Sequence, residues 1–150
     1  MLSILLPRGI RNNNPGNIRL SRTVWQGQRS PQQADRDFVE FTAPVYGLRA
    51  LMKLLLTYCL KYNLDTAESI INRFAPPHEN ATDNYIRCVA KMMGVKRTEK
   101  INLASKPALI ALARAIVLHE NGRPPPDMPP GWYSPALYEQ AASLLLPLPL

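Results

Sequence analysis

The chain has 150 residues, 46% of them hydrophobic and 19% charged, which fits one globular domain and excludes a disordered segment. A formal net charge of +7 implies attraction to polyanions, but the Lys and Arg residues are scattered with no Arg-rich recognition helix, which argues against specific nucleic-acid reading. No apolar run approaches a membrane span, and the opening MLSILLP lacks a basic n-region and a cleavage site, so neither membrane insertion nor an export signal is expected.

Residues 8–19, RGIRNNNPGNIR, are dense in turn formers, since Pro15 fixes φ and Gly16 tolerates positive φ. The segment reads either as a plain surface turn or as a loop whose Asn12, Asn13, Asn14 and Asn17 amides face a polar ligand. Acetamido and hydroxyl groups of a sugar would suit such a loop. Residues 20–41 look extended: 24–27 and 38–41 alternate as short strands do, and a small β-hairpin is expected. Glu40, between Val39 and Phe41, should point away from the face those two share. Asp35, Asp37 and Glu40 read first as solvated charges, with Glu40 in reserve as a second working carboxylate.

Thr42-Ala-Pro44 opens a helix to about Tyr62, with leucines so dense that it reads as the central buried helix. Asp65-x-x-Glu68 resembles a capping box for a short helix, 66–74, stopped by Pro76-Pro77. Asn80-Ala-Thr-Asp83 caps the next, through Tyr85, Ile86 and Val89 to Gly94. A further helix begins near Ser105-Lys-Pro107 and ends at Glu120. Residues 123–133 are too rich in proline for regular structure, and Ser134-Pro135 starts a last short helix to about Leu146. Five or six helices and one small hairpin make a mostly α (α+β) domain over 1–124, with a Pro-rich extension, 125–150, whose helix packs on the same domain. Cys59 and Cys88 read as buried free thiols. No C-x-x-C or His-rich pair points to a metal, and no cofactor is implied.

Within the helix ending at Glu120, Leu109, Leu112, Ala113, Ile116 and Glu120 recur on one apolar stripe. A glutamate there is rarely without a partner or a task. Unpaired carbonyls, the negative end of the macrodipole and burial all disfavour its ionised form, as a general acid working near neutral pH requires. The bland alternative is a Glu whose stem packs while its head reaches water or Arg123. Glu79, just before the helix that Asn80-Ala-Thr-Asp83 caps, sits where a helix N-terminus favours the carboxylate, so the pair Glu79 and Glu120 matches an ionised base and a protonated acid. Glu79 serves equally as a simple complement to a helix start.

Four segments together carry a resemblance: RGIRNNNPGNIR, F-x-x-F with Gly47-Leu48-Arg49-Ala50, FAPPHENATDNYI, and HENGR. Over about residues 8–124 the chain resembles a phage and prophage family often labelled structural or virion protein, whose members are regarded as lysozyme-like. More loosely it is similar to peptidoglycan glucosaminidases and lytic transglycosylases, which carry a helix ending in Glu-Ser-Gly, an N-x-F-G-I segment, a small β region and an A-T-D-x-x-Y helix start. Here Asn14-Pro-Gly-Asn-Ile18, Trp25-x-Gly27, 38–41 and Ala81-Thr-Asp-Asn-Tyr85 keep that order, while the Glu-bearing helix lies on the C-terminal side, as a circular permutation would place it. The Glu-Ser-Gly serine is replaced by Asn121, and the family's usual Trp before Ala-Pro-Pro by Phe74.

The resemblance implies a peptidoglycan-degrading glycosidase of phage or prophage origin, muramidase-like or a lytic transglycosylase, acting on cell-wall glycan strands. Glu120 would protonate the glycosidic oxygen, with Glu79 as second carboxylate and Tyr85 orienting substrate or polarising a proton. Asn12, Asn14, Asn17 and Thr82 would bind substrate, with Glu40 in reserve, and Trp25 would offer a ring face to a sugar or simply anchor a core. The location implied is the virion or the host cytoplasm, with a route to the envelope other than a signal peptide. The competing expectation is a non-catalytic virion or tail component that at most binds glycan, and a third is nucleic-acid binding through scattered basic charge.

Overall fold

The computed structural model describes residues 5–78 and 80–149, so the readings of the N-terminal four residues and of Glu79 lie outside the described residues. Six helices follow in order: α1 (Arg8–Arg11), α2 (Pro44–Tyr62), α3 (Ala67–Phe74), α4 (Thr82–Met93), α5 (Lys106–Asn121) and α6 (Pro135–Ser143). Proline falls in the first turn of α2, α5 and α6, where its missing N–H costs nothing. Asn63 ends α2 in the left-handed conformation, and Gly94 does the same for α4. The α3 capping box is formed by Thr66 and Ser69, whose hydroxyls and backbone N–H groups satisfy one another, and not by Asp65 and Glu68. Glu68 instead pairs with Arg97. Residues 80–83 likewise supply no side-chain cap to α4.

α2 is central. It packs against α3, α5 and α6, while α4 lies across α3 and α5. Leu48, Leu51, Met52, Leu55, Ile70, Ile71, Ile86, Leu109 and Leu112 fill this helical body. Tyr138, Ala141 and Ala142 of α6 belong to the same core. The preceding Pro-rich segment is tied down by Trp132, whose Nε1 donates to the Gly122 carbonyl, and by Tyr138, whose hydroxyl donates to that of Gly131. Both cysteines are free and half-buried. Among the described residues no helix is long and apolar enough to cross a membrane.

Residues 12–43 form a small lobe in which Ile18, Val39 and Phe41 cluster against Ala50 of α2, with Leu20, Trp25 and the α2 residue Tyr46 packed around them. The expected hairpin between 24–27 and 38–41 is replaced by two isolated antiparallel bridges, Arg19 with Phe38 and Gln28 with Phe41. The cause is a division of partners. The 37–39 stretch meets 18–20, through Leu20 N–H to the Asp37 carbonyl and Val39 N–H to the Ile18 carbonyl. The 40–42 stretch meets 27–29 instead, while Phe41 N–H turns to the Asn12 carbonyl. Gln32 and Asn14 side chains bond further backbone groups of these stretches. The lobe docks on α2 because Gly47 has no side chain; a Cβ there would collide with the Asn13 carbonyl.

Candidate active site

Glu120 lies in the last turn of α5, facing the lobe. Both carboxylate oxygens accept a hydrogen bond: Oε1 from the Asn17 amide at 2.9 Å and Oε2 from the Tyr85 hydroxyl at 2.8 Å. The side chain lines a groove of about 410 Å³ between lobe and body, walled by Gly16–Arg19 and Phe38 on one side and by Tyr58, Arg73–Pro76 and Asn80 on the other. A larger cavity of about 560 Å³ lies against the Pro-rich segment, lined by Met92, Leu118 and Pro124–Pro126, and holds no carboxylate among its described residues.

Asn17 reaches Glu120 because the lobe is clamped to the end of α5. The Asn121 amide, 8% exposed, donates to the carbonyls of Pro15 and Val117. Gly9 completes the clamp, since a Cβ there would fall 2.5–2.9 Å from Asn121 Oδ1, Asn17 Oδ1 and the Asn14 carbonyl. Asn17 itself has φ of 50°, a left-handed conformation that asparagine tolerates better than most residues. From the other side Tyr85, 2% exposed, rises out of the body core. Burial first, then the charge and hydrogen bond of Glu120, hold its phenol well above the ordinary range, so Tyr85 stays a donor at neutral pH.

The remaining predicted site residues are placed elsewhere. Asn14 is fully buried: its amide donates to the Ile18 and Val39 carbonyls, and its Oδ1 accepts from Ile18 N–H. It builds the lobe and presents nothing to a ligand. Asn12 donates to Asp35, at the lobe's outer edge and outside the groove lining. The N–H groups of Asp37 and Phe38 and that same amide hold the Asp35 carboxyl below its usual range. Glu40 does point away from Val39 and Phe41, but it is not solvated. A loop covers it, and its Oε1 accepts from the N–H groups of Gln33 and Ala34, so it is a lobe-building residue away from the groove. Trp25 packs on the lobe cluster and does not line the groove. Thr82 is buried and donates to the Ala75 carbonyl, fixing the turn between α3 and α4. Tyr85 touches Glu120 from within the protein. Among the described candidates, Glu120 and Asn17 alone line the groove. Glu79 is outside the described residues, although Asn80, its neighbour in sequence, is a lining residue.

No family model matches the chain. It is similar to "Protein P5" of Pseudoalteromonas phage PM2, with 43% identity over 121 residues that span 79% of this chain and 73% of the relative. The chain belongs to the Protein P5 family.

In this member of the Protein P5 family, sequence reasoning passed over two residues of the site. His119 stacks on the Tyr85 ring, with centroids 3.7 Å apart and an interplanar angle of 28°, and fixes its orientation. Burial holds the imidazole below its ordinary value against the opposing pull of Glu120, so it is neutral at pH 7. Its adjacency to Glu120 in HENGR is the one sequence signal. Asn121 was read only as a departure from a serine; its docking role depends on Pro15, distant in sequence, and no local pattern reveals it. No cluster of three or more His, Cys, Asp or Glu among the described residues is placed to hold a metal.

Proposed function

We propose that this P5-family protein is a lysozyme-like glycosidase of phage origin that degrades peptidoglycan glycan strands, with Glu120 as general acid. The observation that carries the reading is the junction itself. A glutamate at the end of an apolar helix meets the Asn-Pro-Gly-Asn loop, 103 residues away in sequence, at the floor of an open groove. The motif order of the lytic enzymes, with the acid-bearing helix moved to the C-terminal side, requires that meeting.

Asn17 and Tyr85 fix both oxygens of Glu120, which keeps the acid aimed at one position in the groove. Asn17 suits both protonation states. Its Oδ1 has no other partner, and an amide turned over accepts the carboxyl proton where Nδ2 now donates. In the reaction Glu120 gives its proton to the glycosidic oxygen as the C1–O bond breaks, leaving oxocarbenium-like charge on the sugar. Glu79 is the second carboxylate in this reading, stabilising that charge or activating the attacking hydroxyl. Attack by water gives hydrolysis, and attack by a hydroxyl of the same sugar gives an anhydro product. The chain reaches the envelope with the virion or from the host cytoplasm.

A zymogram on purified cell walls tests this. Clearing by the wild type and none by Glu120→Gln is the expected result. No clearing by either protein, with glycan binding retained, overturns the enzymatic reading in favour of a virion component that only binds.

A further inference from the structure

The groove carries two arginines that the catalytic reading leaves unused. Arg19 stands on the lobe side, its guanidinium 4.8 Å from the Phe38 ring centroid. Arg73, near the end of α3, stands on the body side, 3.9 Å from the Tyr62 centroid and 5.3 Å from that of Tyr58. Among the described residues neither arginine has an ion-pair partner, whereas Arg8, Arg87 and Arg97 are all paired with carboxylates. Glu120, the one acid among the described lining residues, has both oxygens engaged by Asn17 and Tyr85. Among the described lining residues, then, two guanidinium groups accompany one carboxylate.

A guanidinium laid on an aromatic face loses conformational freedom but keeps its in-plane N–H edge free. That edge matches a carboxylate bidentately, and the stacking leaves it pre-aligned for that use. We propose that Arg73, with Arg19 across the groove, receives carboxylates borne by the glycan. The protein then selects an acidic aminosugar polymer over a neutral one of the same linkage. This rests on the glycan-binding part of the reading above and not on cleavage. The carboxylate has two possible sources, a substituent on the sugar ring or a peptide attached to it.

The test is binding by the full-length Glu120→Gln protein, which cannot consume its ligand. Three probes are compared at low ionic strength: a neutral β-1,4-linked N-acetylglucosamine oligomer, peptidoglycan glycan strands stripped of peptide, and the same strands with peptide retained. Carboxylate-bearing strands are expected to bind about tenfold or more tightly than the neutral oligomer, an advantage that shrinks with salt. Arg19→Gln/Arg73→Gln should erase the advantage, bringing the affinity for carboxylate-bearing strands down to that for the neutral oligomer. Arg73→Lys should restore only part of it, because the charge returns without the planar fork. Preference for stripped strands assigns the carboxylate to the sugar; preference only for peptide-bearing strands assigns it to the peptide. Equal binding of neutral and acidic probes, or an advantage that survives the double substitution, overturns this proposal and leaves the enzyme standing. Failure of every saccharide to bind overturns both. Selective binding without wall clearing overturns the enzyme alone.

Discussion

The helical body and the small lobe are held together by different physics. In the body, Leu51, Leu55, Leu109 and Leu112 are fully buried, and non-directional apolar burial sets the stability. The lobe contributes only three residues, Ile18, Val39 and Phe41, to its buried apolar cluster, and the chain is shaped by side-chain hydrogen bonds to backbone groups from Asn14, Gln32 and Glu40. Each of those bonds is directional, so the lobe has a specific shape with no regular strand among its described residues. Glu120 belongs to the body, and Asn17, which donates to it, belongs to the lobe. The site exists only where the two regions meet.

The sharpest way to probe that junction is Glu120→Gln, which keeps the shape and removes the ionisable carboxyl. Wall-clearing activity should fall by about 10²–10⁴-fold with the thermal midpoint little changed. Next in size, Leu112→Ala in the body should cost about 2–5 kcal/mol and lower the unfolding midpoint seen by every probe. Asn14→Ala strands the Ile18 N–H and the Val39 carbonyl in the lobe, a cost of about 1–3 kcal/mol. Hydrogen exchange should then rise over residues 12–43 while α2 and α5 stay protected, and the Asn17–Glu120 contact should loosen with loss of activity. If α2 and α5 lose protection equally, lobe and body are one cooperative unit and the contrast fails.

The smallest effect concerns His119. Its pKa is lower folded than unfolded, so its contribution is complete above about pH 6.5. As pH falls below that value, the unfolded chain takes up a proton that the folded chain refuses, and stability declines. His119→Phe keeps a ring on Tyr85 and should flatten that segment of the stability–pH profile, measured by urea unfolding between pH 7 and pH 5. A profile unchanged by the substitution would mean that the ring titrates alike in both states.

The body was legible because its signals are local. The starts of α2, α5 and α6 follow from proline at the first turn, and the stripe through Leu109, Leu112 and Ile116 identified the buried face of α5. The lobe misled for the opposite reason. Alternation in 38–41 put Val39 and Phe41 on one face, which the structure buries, but the pairing partners of that stretch are decided by which distant backbone groups remain free. Asn12, Asn14 and Asn17 look alike in sequence and have three different fates: one binds Asp35, one is buried as a lobe strut, and one reaches the glutamate.

By itself, then, the sequence determined a mostly helical body, an apolar helix ending in glutamate, and an amide-rich turn, because periodicity and capping are properties of neighbouring residues. Only the tertiary structure decided which amide meets that glutamate, that Glu40 is enclosed by its own loop, and that Arg19 and Arg73 share a groove. Those outcomes depend on hydrogen-bond partners and close approaches between residues tens of positions apart, which no local pattern encodes.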